Sequence, residues 1–462
     1  MSVIGHSLGT AEIFKRVNEG KKVTEAHWDY DILPKNLLDL KEKYKIRFGK
    51  DVIPDDRDLT DRLFKAGVEM LDTTGFFCPD LGKSLTVSED EIYDCLDNVP
   101  RKIVMGTGKD QVTIEPRFGS ARRKPIVVGG PTASSVSEDM YIKMMRSYAQ
   151  ENSIDMLFNG VLDTVNGAEY KPNTPNEFHA VMKEMKMMDI ARSVCGRPGM
   201  PAIGPESGLS TGARIAARSE NFGMKATDGY DICLRNEMKI DYICLNMLAA
   251  SEISGTINHI EALPVFGGYC GGPEETAICS VACAVASYVL FGAQIHIGGP
   301  IHIRWGVTTA RDTLKVLAHT AAAIDGNSGI IQGSLYYTMA GPCTEMCFLE
   351  NAAQAIVDSV TGRELIEPSA SARGVELDRT TGMEARFAAK VSQAASGLSP
   401  YEANDILDEM ILCYEPLFAS ASPGKTFQEC YDLDTLEPTE EHKSVYTKAV
   451  DRVRSIGLDM RY

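Results

Sequence analysis

From residue 124 onward, short apolar runs alternate with longer stretches in which apolar residues recur at helical spacing. The apolar runs are almost unbroken, which is typical of parallel strands that are buried on both faces. The pattern predicts strand–helix pairs at 125–129 with 138–150, 154–161 with 176–194, 200–204 with a helix after Ser210, 241–246 with a short weak segment, 263–267 with 273–291, 295–304 with 309–324, 330–336 with 343–360, and 364–366 with 382–395. Eight such units predict an α/β fold, a closed (β/α)8 TIM barrel.

The regions on either side of this alternation have helical patterns and no visible chemistry. Amphipathic helices are predicted at 11–18, 35–44, 60–71 and 88–96, followed by a β-hairpin within 102–115,. Two more helices are predicted at 401–417 and 440–456. We therefore expect an N-terminal helical layer with a hairpin at 1–123, the barrel at 124–398, and a C-terminal helical extension at 399–462 that packs on the barrel.

Composition narrows the class of protein. The 462 residues are 44% hydrophobic and carry a formal charge of −17,. Because the charge is strongly negative, we expect no basic surface that would bind nucleic acid or an anionic membrane. The twelve cysteines are scattered and the N-terminus does not resemble a signal peptide, which indicates reduced thiols in the cytoplasm,. The uncharged run 276–303 is interrupted by glycines and predicts a buried helix followed by a strand, each too short to cross a bilayer.

In a barrel of this kind, the loops after the strands form the working face. The polar and aromatic residues expected there include Glu206, Asp231, Glu261, His296, Arg304, Tyr336 and Tyr337. Glu261 has apolar neighbours that would perturb its pKa, but its position before the run 263–267 favours a structural role. Arg304 lies two residues after His302, which places both side chains on one face of a predicted strand.

Two other patterns carry no predicted function. Cys279 with Cys283, and Cys343 with Cys347, have the spacing of core thiols on helices, and no set of cysteines and histidines has zinc-ligand spacing, so no metal site is expected,. Residues 419–426 satisfy a loose Walker A pattern, but they follow a helix rather than a strand, which indicates a chance match.

Several stretches from the middle to the C-terminus closely resemble the monomethylamine:corrinoid methyltransferase family. They are Gly196-Arg-Pro-Gly-Met200, Gly204-Pro-Glu206, Phe266-Gly-Gly-Tyr269, Glu274-Glu-Thr276, His302-Ile-Arg-Trp-Gly306, Gly341-Pro-Cys-Thr-Glu-Met-Cys347, Thr380-Thr-Gly-Met-Glu-Ala-Arg386 and Gly424-Lys-Thr-Phe-Gln-Glu-Cys-Tyr-Asp432. The resemblance implies a TIM barrel, a homo-oligomer of hexameric type, and methyl transfer from a methylated amine to Co(I), as in the methylamine metabolism of methanogenesis.

The resemblance also implies that the corrinoid (cobalamin) belongs to a partner. The chain lacks the Asp-x-His-x-x-Gly pattern that binds a corrinoid, and its closest approach, Gln294-Ile-His296-Ile-Gly-Gly299, has no aspartate to orient the histidine. We therefore expect no cofactor bound in the chain itself, and a cognate corrinoid protein as the partner.

The chain departs from the family at three positions of the implied site. Ile203 stands where the family has pyrrolysine, Leu335 stands where it has a glutamine before the paired tyrosines, and Asp231 stands where it has a glutamate, whereas Glu261 matches. The resemblance implies that the pyrrolysine imine takes up the amine as an adduct, and isoleucine has no electrophile. An amber codon at position 203 of the gene would restore the family residue.

These positions give the predicted site. Glu261, Asp231 and Ile203 are the expected catalytic positions, and Glu206, Leu335, Tyr336, Tyr337, His296 and Arg304 are expected to bind substrate. With Ile203 and Leu335, the implied cavity is more apolar than that of the family and keeps two carboxylates. Such a cavity suits a quaternary or other N-methyl cation, which is the first alternative to the family's methylamine. An unrelated barrel lyase or hydrolase, and a non-catalytic amine-binding protein, are the further alternatives.

Overall fold

The chain begins with a layer of helices and short strands, in a computed structural model that describes residues 7–119 and 121–460. The elements are α1 Thr10–Glu19, β1 Lys21–Lys22, α2 Glu25–His27, a π-helix Trp28–Ile32, α3 Leu33–Lys43, α4 Arg57–Thr73, β2 Phe76–Cys78, β3 Lys83–Leu85, α5 Glu89–Asp97, β4 Ile103–Met105 and β5 Val112–Ile114. The four helices predicted here are confirmed, as is the hairpin, in which β4 and β5 pair antiparallel.

Eight parallel strands then close into a barrel, and a helix follows each of them. The elements are β6 Ile126–Gly129, β7 Ser135–Val136, α6 Tyr141–Ala149, β8 Met156–Phe158, β9 Val161–Leu162, α7 Pro175–Val194, β10 Ala202–Gly204, α8 Thr211–Ala217, β11 Gly229–Cys233, α9 Tyr242–Ser254, β12 Ile257–Ala262, β13 Val265–Phe266, α10 Pro273–Val289, β14 Ile295–Gly298, β15 Ile301–His302, α11 Arg311–Asn327, β16 Gln332–Tyr337, α12 Glu345–Val360, β17 Leu365–Ala370 and α13 Gly382–Ala395.

The barrel is closed in chain order by β6, β8, β10, β11, β12, β14, β16 and β17, and β17 pairs back to β6. The two-residue strands β7 and β9 pair with each other outside the barrel, and β13 pairs with β15. The predicted TIM barrel is therefore confirmed. Its carboxyl-terminal rim is the face on which such barrels carry their sites.

Two of the eight predicted strands are wrong. The run 241–246 is the start of helix α9, where the Asp241 carboxylate caps the helix by accepting from the Cys244 N–H at 2.9 Å. The barrel strand of that unit is β11, which lies twelve residues earlier and carries Asp231 at its centre. The barrel strand of the next unit is β12 rather than 263–267. Both true strands carry charged side chains, which break the apolar pattern expected of a buried parallel strand.

The lumen of the barrel is filled by apolar side chains on most of its wall. One cluster combines inward-facing residues of seven barrel strands with Ile103, Met105 and Ile114 of the β4–β5 hairpin. The hairpin region also donates from the Gly106 and Thr107 N–H groups to residues 227 and 199, which lie just ahead of β11 and β10. The hairpin therefore closes the amino-terminal end of the barrel, opposite the rim on which barrels of this type carry their sites,.

The C-terminal extension packs on the outside of the barrel. It contains α14 Pro400–Tyr414, a 3-10 helix Glu415–Ser420, α15 Phe427–Cys430 and α16 Glu440–Ile456. Helices α14 and α16 pack against α12, and Arg311 pairs with Asp408 at 2.6 Å. The Walker-like segment follows the 3-10 helix, and the Ser422 carbonyl accepts from the Gly341 N–H at 3.0 Å. The segment is therefore a structural loop that is hydrogen-bonded to the barrel. The predicted region boundaries at 123 and 398 stay predictions.

Two expectations, on membrane-spanning helices and on cysteines, can be compared with the described residues. No helix within 7–119 and 121–460 is long and apolar enough to cross a membrane. The uncharged run 276–303 is divided between α10 and β14, as predicted. All twelve cysteines are free thiols.

Candidate functional site

A polar cluster interrupts the apolar lining of the lumen on strands β11 and β12. Asp231 on β11 is the direct neighbour of His259 on β12, and Glu261 is the next inward-facing residue of β12. All three side chains are at most 3% exposed. Ligand atoms of the three lie within 4.8 Å of one another. The register of two parallel strands thus brings two carboxylates and an imidazole to one point.

His259 bridges two carboxylates across the lumen. Its Nδ1 lies 3.2 Å from Asp231 Oδ1, and its Nε2 lies 3.0 Å from Glu367 Oε1, which projects from β17. Burial alone lowers the pKa of an imidazole, but the charges of Glu367 and Asp231 outweigh that effect and raise the pKa of His259 to about 10,. His259 is therefore an imidazolium at neutral pH, with each ring N–H donating to a carboxylate.

Asp231 has a second cationic neighbour. Arg214, from helix α8, places Nη2 3.5 Å from Asp231 Oδ2 and donates from the same nitrogen to the Glu206 carbonyl at 3.2 Å. Arg214 is 8% exposed, so this ion pair is shielded from solvent. The charge of Asp231 is therefore balanced within the protein by Arg214 and His259.

Glu261 differs from Asp231 because none of the ion pairs among the described residues involves it. Its Oε1 atom is buried and has no hydrogen-bond partner among the described residues. Burial raises the pKa of Glu261 well above its usual range, and the neighbouring Asp231 and Glu206 charges add to the effect. A buried carboxylate oxygen without a donor is unfavourable. Glu261 is therefore a carboxylic acid until a cation or a donor arrives beside it.

Glu206 and Tyr337 lie nearer the rim and are partly buried. Burial and the Asp231 charge raise the pKa of Glu206 to about 8. Burial also raises the pKa of Tyr337, with the Glu261 and Glu206 charges next in effect, so Tyr337 stays a neutral phenol close to both carboxyl groups. The four carboxyl groups of the cluster face two cationic side chains, Arg214 and His259, so two protons or two added positive charges must balance the remaining two carboxylates.

The rest of the lumen wall is apolar. Ile203 on β10 is fully buried and pairs in register with Phe158 on β8 and Gly229 on β11. Leu335 on β16 is 1% exposed and lies opposite Glu367 in register. Ile203, Phe158 and Leu335 belong to the same apolar cluster. The structure thus places the isoleucine and leucine of the predicted site on the lumen wall, and their role in binding substrate stays a prediction.

Three of the predicted site residues lie elsewhere. Ile295 and Ile297 belong to the lumen cluster, so His296 between them faces the helices, where burial and the Arg363 charge lower its pKa to about 3,. Tyr336 likewise packs in the core between strands and helices. Arg304 lies in an exposed turn beyond β15 and stacks on Trp305 at 4.4 Å, because the strand predicted to extend to residue 304 ends at His302. The structure does not bring these three to the cluster.

The prediction that Glu261 precedes a strand is wrong. It is the fifth residue of the six-residue strand β12 and points into the lumen. The structure also adds His259, Glu367 and Arg214, which sequence analysis missed. For His259 a signal was available, because it lies two residues before Glu261 and period-two spacing places both on one strand face. For Glu367 and Arg214 the sequence offers no comparable signal.

The chain is similar to known proteins over nearly its whole length. Residues 8–458 match the family model for monomethylamine methyltransferase MtmB. Monomethylamine methyltransferase MtmB2 of Methanosarcina barkeri is 42% identical over 447 residues, which cover 97% of each chain. Monomethylamine methyltransferase MtmB of Methanosarcina mazei is 39% identical over the same share.

Solved structures give the same result. The crystal structure of the Methanosarcina barkeri monomethylamine methyltransferase superimposes with a TM-score of 0.96 at 42% identity, and covers 98% of this chain and 99% of that one. A second structure, described as a hydroxylamine complex of MtmB, matches equally well. The resemblance drawn from the sequence motifs and the enzyme class it implied, a methyltransferase, are confirmed. The chain belongs to the monomethylamine methyltransferase family.

Proposed function

We propose that this chain moves a methyl group from an N-methylated amine to Co(I) of a corrinoid carried by a separate cognate protein. Family membership supports the class of reaction. The absence of a corrinoid-binding pattern from the sequence supports a separate carrier. The same membership weighs against the unrelated lyase, hydrolase and amine-binding alternatives. We also propose that the protein is a homo-oligomer, as the resemblance to the family implies, and that it works in the cytoplasm.

The observation that carries the proposal is the Glu261 carboxyl group in the lumen of the barrel, whose Oε1 atom has no hydrogen-bond partner among the described residues. A cationic nitrogen beside Glu261 would supply a missing positive charge and allow the carboxyl group to ionise,. Asp231 adds negative charge next to it, although its own partners, Arg214 and His259, are already in place. Glu261 and Asp231 therefore form the anionic side of the proposed substrate site, with Glu261 nearest the nitrogen.

The chemistry restricts which amines can react. The methyl carbon is transferred to Co(I), the C–N bond breaks, and its electron pair stays on nitrogen, so the nitrogen must leave as a neutral amine. That requires a nitrogen that is protonated, bound as an adduct, or quaternary in the substrate. Ile203 offers only an alkyl side chain, so it forms no adduct. A quaternary ammonium satisfies the requirement without help from the protein.

The apolar wall suits such a substrate. Ile203, Phe158 and Leu335 present hydrocarbon surface to the lumen. Each buried methyl group contributes about 0.8 kcal/mol, whereas an ammonium N–H left without an acceptor costs about 1–3 kcal/mol. Both effects favour a permethylated nitrogen over methylammonium. We therefore propose a quaternary N-methyl compound as the substrate class, with the methyl groups on the apolar side and Glu261 on the other.

The test is spectroscopic. The purified protein is mixed anaerobically with its reduced cognate corrinoid protein and with each of a series of primary to quaternary methylamines. The Co(I) spectrum should convert to that of methyl-Co(III) with at least one of them, and the quaternary compounds should react fastest. A mixture without the protein is the control for uncatalysed methylation, and Glu261→Gln is the matched variant, in which the reaction should be slower. An unchanged spectrum across the whole series would refute the proposed function.

A further inference from the structure

Asp231, His259 and Glu261 present three ligand atoms to one point of the lumen. The atoms lie within 4.8 Å of one another and come from two adjacent strands, which hold them rigidly. An imidazole nitrogen with two carboxylate oxygens is a donor set that zinc and other divalent first-row metals accept. The 3.2 Å separation of His259 Nδ1 and Asp231 Oδ1 is close to the roughly 3.4 Å expected between two ligands that are each about 2.1 Å from a tetrahedral ion,.

A second observation points to a ligand at this place. Glu261 is 3% exposed, and its Oε1 atom has no partner among the described residues although it belongs to the cluster. The Asp231 Oδ2 atom also lacks a hydrogen bond and has only the longer contact with Arg214. A metal ion would occupy the free lone pairs of both carboxylates at once.

The surroundings of His259 have the arrangement that supports a metal-bound histidine. A ligating histidine donates its other ring N–H to a carboxylate, which fixes the ring and strengthens it as a donor. Here His259 Nε2, the ring nitrogen opposite the one beside Asp231, lies 3.0 Å from Glu367 Oε1. Arg214 holds Asp231 in the same way from the other side. Both inner residues thus have their own supporting partners.

We propose that Asp231, His259 and Glu261 bind one divalent first-row metal ion, such as Zn²⁺, with Glu367 as the residue that positions His259. The proton on His259 Nδ1 leaves when the ion binds. Because the ion uses the carboxylates that would compensate a substrate cation, the metal and a quaternary ammonium exclude each other. The metal site does not depend on the proposed function, whereas this exclusion rests on it.

The experiment is a calorimetric titration of the chelator-treated full-length protein with Zn²⁺, with the bound metal counted by elemental analysis after dialysis. We expect one Zn²⁺ per chain with a Kd in the micromolar range or tighter. Glu261→Gln and His259→Gln should each weaken binding at least a hundredfold, and Glu367→Gln by about 10–100-fold, the range seen when outer carboxylates are removed. Saturating tetramethylammonium should weaken Zn²⁺ binding to the wild type at least tenfold.

The control variant is His319→Gln, which removes a buried histidine of helix α11 that stacks on Phe48, outside the lumen. It should bind Zn²⁺ like the wild type. Thermal unfolding of each variant shows whether it folds, and the near-isosteric Glu261→Gln keeps the test valid if His259→Gln does not. Absence of Zn²⁺ binding to the wild type, or equal binding by both variants, would overturn the metal site. Binding of Zn²⁺ by a protein without methyl transfer would refute the proposed function and leave the metal site intact.

Discussion

Two buried glutamates of this barrel, Glu177 and Glu261, are in opposite situations. Glu177 lies in the first turn of helix α7 and supports the loop after β10: its carboxylate accepts from the N–H groups of Asn173, Leu209 and Ser210 and from the Ser210 hydroxyl, at 2.6–2.8 Å. Burial opposes ionisation of Glu177, but these donors outweigh it and lower the pKa. Glu261 is as buried, has an oxygen without a donor, and has a raised pKa.

The difference between Glu177 and Glu261 shows which property distinguishes a candidate ligand-binding carboxyl group from a structural one. Burial is common to both residues, and so is a position near the rim of the barrel. What distinguishes Glu261 is an unused hydrogen-bonding valence that folding alone leaves unfilled. Glu177 is ionised by the protein and stabilises a loop, whereas Glu261 is left neutral by the protein and is available to a cation. The same substitution, glutamate to glutamine, should therefore have opposite consequences at the two positions.

The largest effect is expected on stability at Glu177. Glu177→Gln replaces an acceptor oxygen by an amide group that faces donors, and should lower the free energy of unfolding by about 3 kcal/mol, the upper range for a buried charged acceptor. Glu261→Gln should leave it unchanged or raise it, because no hydrogen bond to that oxygen is lost and an amide, unlike the buried carboxyl group, gains nothing by ionising in the unfolded chain,. Urea denaturation followed by circular dichroism measures both. Equal losses in the two variants would remove the distinction between the two residues.

The next effect concerns which cation Glu261 meets. Tetramethylammonium should bind more tightly than methylammonium by about 2 kcal/mol, since each further methyl group adds about 0.8 kcal/mol on the wall of Ile203 and Leu335. Ile203→Gln should narrow the gap, because its amide offers an acceptor to ammonium N–H groups. Calorimetric titration of the wild type and of Ile203→Gln with the two cations measures the difference in affinity. Tighter binding of methylammonium by the wild type would return the substrate to a primary amine.

A smaller effect is expected on turnover. Glu261→Gln and Asp231→Asn should each reduce methyl transfer at least tenfold, or about 1.4 kcal/mol of transition-state free energy. Glu177→Gln provides the comparison, assayed at a temperature where it is folded, and should retain most of the wild-type rate. Rates are read from the appearance of methyl-Co(III). Wild-type rates in both lumen variants would assign Glu261 a structural role after all.

The smallest effect is on the pH dependence of stability, and its sign differs between the two residues. Glu177 has a lowered pKa in the folded state, so its contribution is present above its unfolded pKa and is lost as the pH falls,. Glu261 and Glu206 have raised pKa values, so their contributions are present at low pH and are lost as the pH rises from about 4.5 through about 8, the folded pKa of Glu206,.

The variants test this sign. Glu177→Gln should flatten the loss of stability on acidification, and Glu206→Gln should flatten the loss between pH 5 and pH 8. Urea denaturation at a series of pH values gives the slopes. A loss of stability toward alkaline pH that is as steep in Glu206→Gln as in the wild type would contradict the shift at Glu206.

The sequence by itself determined the number of strand–helix units, most of the helices, the hairpin and the family motifs, because periodicity and capping are local properties of the chain. It also determined that Ile203 and Leu335 are hydrocarbon side chains in the implied site. It did not locate β11 and β12, because Asp231, His259 and Glu261 interrupt the apolar pattern from which buried strands are predicted. Only the tertiary structure decided that His259 joins Asp231 to Glu367 across the lumen and that His296 and Tyr336 face away. Strand register and barrel closure set those contacts, and they join residues far apart in the chain.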